Sequence, residues 1–423
     1  MVDGAPAAAS SAELVEDLFR KEYAHLVSAL TRFLGPSHIP LAEDVVHDAL
    51  VSAMHAWRFG VPEDPKAWLV RVAHNRAVDI IRRERRHRSF LPELATMTAL
   101  TASIEAALAP AAESAHQLAM MFAVCDPRLN RETHVTMILR WLCGLSPKEI
   151  GRAFLVDTPT IDRRLHRGRG RLRQLGRLPD VADLPDIDTR RDSVLHALYL
   201  LFNEGYHGSD PDDPVRPFLC EDALRLTELL LGAEATARPE VHALAALFCF
   251  GAARLPTRLD EDGVFVPLED QDRGRWDPAR IERGLVHLAR SAAGDHLSPW
   301  HLEAGIACEH AIAPSVRATD WDRIAGFYQL LAEQAWSPVV ALNRGLALAE
   351  RDGVDAGRRE LIALAGEPKL SRYPFYWAAR ADLERRAGCH AAARENYARA
   401  VALSRSPAER VSFERRIASL EIS

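Results

Sequence analysis

Apolar residues recur at three- and four-residue intervals along almost the whole chain, while alternating β-branched runs are scarce. That periodicity predicts an all-α protein. The helix from Pro65 to Arg86 shows it well. Asp64 precedes proline at the first helical position, and Leu69, Val72, Ala73, Ala77 and Ile80 form one apolar stripe. Trp68, Arg71, Asn75, Asp79, Arg82 and Arg86 fall along the opposite face, and Arg83 lies within the basic cluster at its end. Further on, Ser146-Pro147-Lys148-Glu149 is a capping box that starts a helix. A short turn at Leu155-Val156-Asp157 leads to a second helix with Ile161, Leu165, Leu172 and Leu175 on one face. Near the C-terminus, Ala393, Tyr397 and Ala400 follow Gly388 in a small-large-small pattern, and Gly353 lies 35 residues before Gly388. This spacing predicts stacked helix pairs of tetratricopeptide type.

Charge divides the chain. Of 53 basic and 59 acidic side chains, residues 1–178 carry 24 and 20, a net of +4, and the remainder carries a net of −10. A basic front joined to an acidic back raises the expectation of an N-terminal nucleic-acid module. Composition marks further boundaries. Residues 12–88 form a helical block ending in Arg82 to Arg88. Residues 89–115 contain Glu93, Glu105 and Glu113 but no Lys or Arg, which reads as a linker. Residues 116–178 form a second small helical block. Beyond the Pro/Asp-rich joint at 178–188, a helical extension spans 186–295 and helical repeats span 296–423.

The two basic segments carry the candidate chemistry. In the block at 146–175, two short helices joined by a tight turn describe a helix-turn-helix. Its second helix presents Thr160, Arg163, Arg164, Arg167 and Arg171 away from the apolar face. The forked guanidinium suits both guanine edges and phosphates. In the helix at 65–86, an aromatic beside arginines and an amide is the composition of a single-strand platform. Trp57, upstream, is expected to pack internally.

At this point the sequence resembles a known family. The stretch from Leu41 to Leu50, then Trp57-Arg58-Phe59, Ala67 to Asp79 and the arginine cluster resemble region 2 of extracytoplasmic-function sigma factors. Leu145 to Phe154 with Arg163 to Arg169 resembles their region 4. The segments Tyr199 to Tyr206 and Leu268 to Trp276 resemble the subgroup with a long tetratricopeptide-like C-terminal extension. The resemblance departs at the turn, where Leu155 replaces a small residue. It implies two small helical sigma domains, joined by a linker and followed by the repeat domain. Its implied partners are RNA polymerase core, through the β′ clamp helices and the β flap, and promoter DNA. Glu43, Asp44 and Asp48 would then face polymerase. Trp68, Arg71, Asn75, Asp79, Arg82, Arg83 and Arg86 would face the opened −10 element. Thr160, Arg163, Arg164, Arg167 and Arg171 would enter the −35 major groove, and the linker would thread a channel built for RNA.

Other chemistry finds little support. Glu269, Asp270, Asp272 and Asp277 lack a nucleophile or a matching ligand set, and the spacing of His301, Cys308 and His310 fits no strong zinc pattern. No enzymatic activity, cofactor or metal is expected. Six cysteines are scattered without a C-x-x-C pair, no apolar run approaches the ~20 residues of a membrane span, and no secretory signal is visible. A cytoplasmic protein without membrane contact is therefore expected. Asn203, Glu204 and Tyr206 form a polar cluster where the extension is expected to contact the sigma domains and regulate them, in either direction. The alternative reading is a polymerase-independent helix-turn-helix regulator with a protein-interaction repeat domain.

Overall fold

The computed structural model describes residues 11–87, 97–154, 156–208 and 213–420, and every helix and strand assignment among them is helical apart from one isolated bridge between Leu259 and Phe265. The chain divides into two compact units, Met1–Leu200 and Leu201–Ser423.

The first unit begins with α1 (Ser11–Leu34), α2 (Ile39–Ala56) and α3 (Pro65–His87), which pack on one another. Their core is Leu26, Leu30, Ile39, Val45, Val46, Leu69, Ala73 and Ala77, all buried. Removing this apolar surface from water supplies the main drive for folding, at about 25 cal/mol per Å². Asp64 starts α3 as expected, its Oδ1 accepting from the Ala67 amide at 2.9 Å. The acidic segment that follows is not featureless. It contains α4 (Met97–Ala107), whose Ile104 is buried along with the following Leu108, and α4 packs on α1 and α3. Its four alanines, Met97 and Leu100 are strong helix formers.

Four helices complete the N-terminal half: α5 (Glu113–Val124), α6 (Arg131–Trp141), α7 (Pro147–Phe154) and α8 (Thr158–Arg173). The capping box forms as the sequence predicts, with the Ser146 amide donating to Glu149 Oε2 at 2.7 Å and the Glu149 amide to Ser146 Oγ at 3.3 Å. Ile150, Ala153, Ile161, Leu165 and Leu172 are buried, which fixes α7 and α8 as an apolar-faced pair. Gly168 permits the close approach of α6, because a Cβ there would stand 2.4 Å from Met137 Sδ. The boundary between units falls inside α9 (Ile187–Tyr206) rather than at the 178–188 joint.

The second unit continues with α10 (Pro217–Leu231), α11 (Pro239–Ala253), α12 (Pro278–Ser291), α13 (Pro299–Ile312) and α14 (Trp321–Gln334). It ends with α15 (Pro338–Asp352), α16 (Val354–Ala363), the single turn α17 (Pro368–Ser371), α18 (Pro374–Arg386), α19 (His390–Leu403) and α20 (Pro407–Ser419). Consecutive helices pack in pairs, notably α15 with α16 and α18 with α19. Gly353 and Gly388, with φ of 96° and 75°, stand at corresponding corners before the second helix of each pair. Only glycine takes such values readily. The last helix then returns to the loop after α11, where Ser412 Oγ donates to the Phe265 carbonyl at 2.9 Å and Arg416 pairs with Glu269 and Asp270.

Candidate nucleic-acid interface

The outer face of α3 carries Arg71, Asn75, Asp79 and Arg82, all exposed, with Trp68 half-buried at its upper end. Trp68 meets the edge of Trp57 at 5.6 Å between centroids, and Trp57 in turn lies 5.4 Å from Phe19. The indole is thus held by other rings while part of it reaches solvent, an arrangement that can stack with a base. The side chains of Arg83 and Arg86 lie outside the described residues.

The three acidic residues of α2 have separate fates. Asp44 is exposed, and Asp48 makes a long contact of 3.6 Å with Arg76, both side chains about half exposed. Such a pair contributes at most about 1 kcal/mol. Glu43 is buried and accepts from Arg140 Nε at 2.6 Å and Arg169 Nη2 at 2.8 Å. Tyr23 also donates to Glu43, at 3.3 Å. Burial, together with the Glu43 carboxylate, pushes the Tyr23 phenol well above its ordinary range. Asp44, His47, Val51 and Met54 form an exposed stripe on α2 at helical spacing, with Met54 60% exposed. The apolar members of that stripe were missed from sequence, although their position opposite the buried Val45, Val46 and Ala49 was a signal for them.

On α8, Arg163 and Arg167 are exposed, Thr160 and Arg164 are half-buried, and Arg163 donates to Thr160 Oγ1 at 2.5 Å. Arg171 is placed differently. Its Nε donates to Oδ2 of the fully buried Asp126 at 2.8 Å, and Arg128 and Arg190 share the same carboxylate at 2.8 and 3.7 Å. Arg171 therefore fastens α8 to the loop after α5, whereas Arg163 and Arg167 stand free to meet a polyanion.

In the second unit, Glu204 is buried against Arg216, and Tyr206 lies beneath Arg258 at 4.4 Å from guanidinium carbon to ring centroid. Asn203 is half-buried. Of the loop acids, Asp272 accepts from the Gly274 amide at 2.9 Å and Asp277 caps α12 through the Ala279 and Arg280 amides. Among the described residues, no group of three His, Cys, Asp or Glu side chains is placed to hold a metal ion. No helix among them is long and apolar enough to cross a membrane.

Comparison with known proteins bears on this geometry. An uncharacterized protein of Rhizobium meliloti (strain 1021) is 34% identical over 394 residues, covering 91% of this chain and 92% of the relative. The chain belongs to that protein's family. Within it, residues 18–87 match Sigma-70 region 2, and residues 190–292 match a family of unknown function, DUF6596. No solved structure matches the chain. The region 2 match covers most of α1 with α2 and α3, so the Trp68 face and the Asp44 stripe both lie on a Sigma-70 region 2 domain. This supports a sigma-factor-like role in transcription initiation. Region 2 domains bind RNA polymerase core as a class.

Proposed function

We propose that this protein is an RNA polymerase sigma factor of the extracytoplasmic-function type that directs promoter-specific initiation. The observation that carries the reading is the joint presence, on a Sigma-70 region 2 domain, of an exposed Arg71–Asn75–Asp79–Arg82 face ending at a half-exposed Trp68. Duplex DNA offers bases for stacking only once they leave the helix, and base–aromatic stacking gives roughly 1–3 kcal/mol per base. A face that holds unpaired −10 bases offsets the few kcal/mol needed to extrude them. The arginines add contacts to phosphate, which position the protein and make binding depend on salt.

The same reading extends to the other exposed residues. The exposed Asp44–His47–Val51–Met54 stripe is the surface offered to the β′ clamp helices, with Asp48 at its border. The α7–α8 pair reads the −35 element through Arg163 and Arg167, aided by Thr160 and Arg164. The acidic C-terminal unit, built of tetratricopeptide-like helix pairs, regulates the factor. A sigma factor performs no bond chemistry of its own, so no catalytic residue is assigned, and its place of action is the cytoplasm.

The test is promoter opening. Holoenzyme assembled from core polymerase and this protein, on a promoter carrying 2-aminopurine in the −10 element, should give a fluorescence rise that Trp68→Ala abolishes. An equal rise with Trp68→Ala would take that side chain out of the −10 assignment, and binding of duplex DNA with no affinity for core would favour a polymerase-independent regulator instead.

A further inference from the structure

The second unit encloses a cavity of about 610 Å³ between the loop after α11, helices α13 to α15, and helices α18 to α20. Phe265, Trp321, Tyr373, Phe375 and Phe413 give it broad aromatic walls. Its charged groups fall into two sets. In one, Arg416 pairs with Glu269 at 2.6 Å and Arg386 pairs with Glu350, so charge is cancelled locally.

The other set is Arg254, Arg258 and Arg273. Among the described residues, none of the three has a carboxylate within ion-pair distance. They are held by other means. Arg254 Nε donates to Gln271 Oε1 at 3.3 Å, Arg258 donates to His207 Nδ1 at 3.2 Å, and Arg273 Nη1 donates to the His310 and Ala313 carbonyls at 2.7 and 2.6 Å. Rings support the guanidinium planes. Arg254 and Arg273 stand 5.5 and 5.0 Å from the Trp276 ring, and Arg258 stands 5.2 Å from Phe265. Arg258 Nε, Arg273 Nη2 and His310 Nδ1 are nonetheless buried from water without a hydrogen-bond partner.

Three neighbouring cations without a counter-ion oppose folding, because each loses hydration and repels the next. The strain is visible in their acidities. Burial and the Arg258 charge hold the Arg254 pKa below the ordinary arginine range, and burial with Arg254 does the same for Arg273. Burial, then Arg254 and Arg273, lowers the pKa of His310 to about 3. An anion in the cavity would supply the missing counter-charge. The guanidinium fork, already fixed by rings and carbonyls, loses little freedom in gripping one. The volume lies within the range of ordinary small-molecule sites, which pair apolar walls with a few convergent polar groups.

We propose that this cavity binds a small organic oxyanion, a phosphate or a carboxylate. Arg254, Arg258 and Arg273 hold its charged group, and its apolar or planar body lies against Phe265, Trp321 and Phe375. The site stands whether or not the N-terminal half recruits polymerase, so failure of one reading leaves the other intact.

The experiment is isothermal titration of the full-length protein with inorganic pyrophosphate and, separately, with indole-3-carboxylate, at ionic strength matched with chloride. We expect saturable binding of at least one probe in the millimolar range or tighter. The Arg258→Gln or the Arg273→Gln variant should weaken it at least tenfold. The stronger arm tells phosphate from carboxylate. Arg258→Lys, which keeps the charge but loses the fork, serves where glutamine costs the fold. Absence of saturable binding by both probes, or a loss smaller than tenfold in every folded variant, overturns the proposal.

Discussion

Glu43 Oε1 accepts a hydrogen bond from Arg140 Nε at 2.6 Å, linking residues 97 positions apart. Arg169 closes on the other oxygen of the same carboxylate and lies 5.9 Å from the Trp141 ring. One buried acid on α2 thus joins α6 and α8, and region 2 is fastened to the helices that follow it. Hydrogen bonds to charged groups contribute roughly 1.5–3 kcal/mol each when a partner is deleted. Glu43→Gln should therefore destabilise the first unit by about that amount, read as a lowered midpoint in thermal unfolding. An unchanged midpoint would mean that this bridge is incidental.

Asp126 should be less forgiving. It is fully buried among Arg128, Arg171 and Arg190, and Arg128 alone reaches both of its oxygens. Removing the acid strands Arg190 and Arg171, 5% and 18% exposed, at about 3–5 kcal/mol, whereas Arg128, 63% exposed, stays in water. Asp126→Asn is expected to lower the urea midpoint by a matching amount without changing the slope. Arg171→Ala leaves Asp126 paired with Arg128 and Arg190 and should lower it by less, and any loss of DNA binding in it would follow from lost structure.

Arg163 and Arg167 invert that pattern. Both are exposed, and among the described residues neither makes an ion pair with a buried acid. Their alanine variants should stay within about 0.5 kcal/mol of the parent in stability. Promoter affinity should nonetheless fall, and each lost phosphate contact should reduce the salt slope by about one. Electrophoretic mobility shifts over a salt series, alongside core-binding assays that stay unchanged, would show it.

Acid should loosen the second unit through His310. Its pKa falls from 6.5 to about 3, because burial and the facing Arg254 and Arg273 charges oppose protonation. Between those values the unfolded chain binds a proton that the folded chain refuses. Stability therefore falls as pH drops through that window. His310→Gln should flatten this part of the curve of stability against pH in calorimetry.

The thiols offer a simpler check. Burial pushes Cys220 up to about 12 and Cys249 and Cys308 up to about 11, while Cys125 and Cys143 are also buried. Cys389 is exposed. The folded protein should react with a thiol reagent at Cys389 alone, and at all six cysteines once denatured.

What the sequence made legible was mostly local. The Ser146–Glu149 box, the Asp64 cap and the apolar stripes of α3 and α8 depend on residues three or four apart, so their partners sit in view. Gly353 and Gly388 declared their corners through their 35-residue spacing. The segment at 89–115 read as a linker because it lacks basic residues, yet Ile104 and Leu108 were enough to seat a helix. Nothing local marked Glu43 as internal, because its partners lie 97 and 126 positions away. Arg171 shared the spacing of Arg163 and Arg167, and only the tertiary position of Asp126 sets it apart. Arg254, Arg258 and Arg273 were invisible as a group, since the fold alone brings the loop around 273 back to the end of α11.

The most direct measurement of the central claim is run-off transcription with core polymerase and this protein, on a promoter from its own gene neighbourhood. Core alone is the control. The account predicts discrete transcripts only when the protein is present, lost in Trp68→Ala and weakened in Arg163→Ala. Absence of such transcripts, together with failure of the protein to co-elute with core, would contradict it.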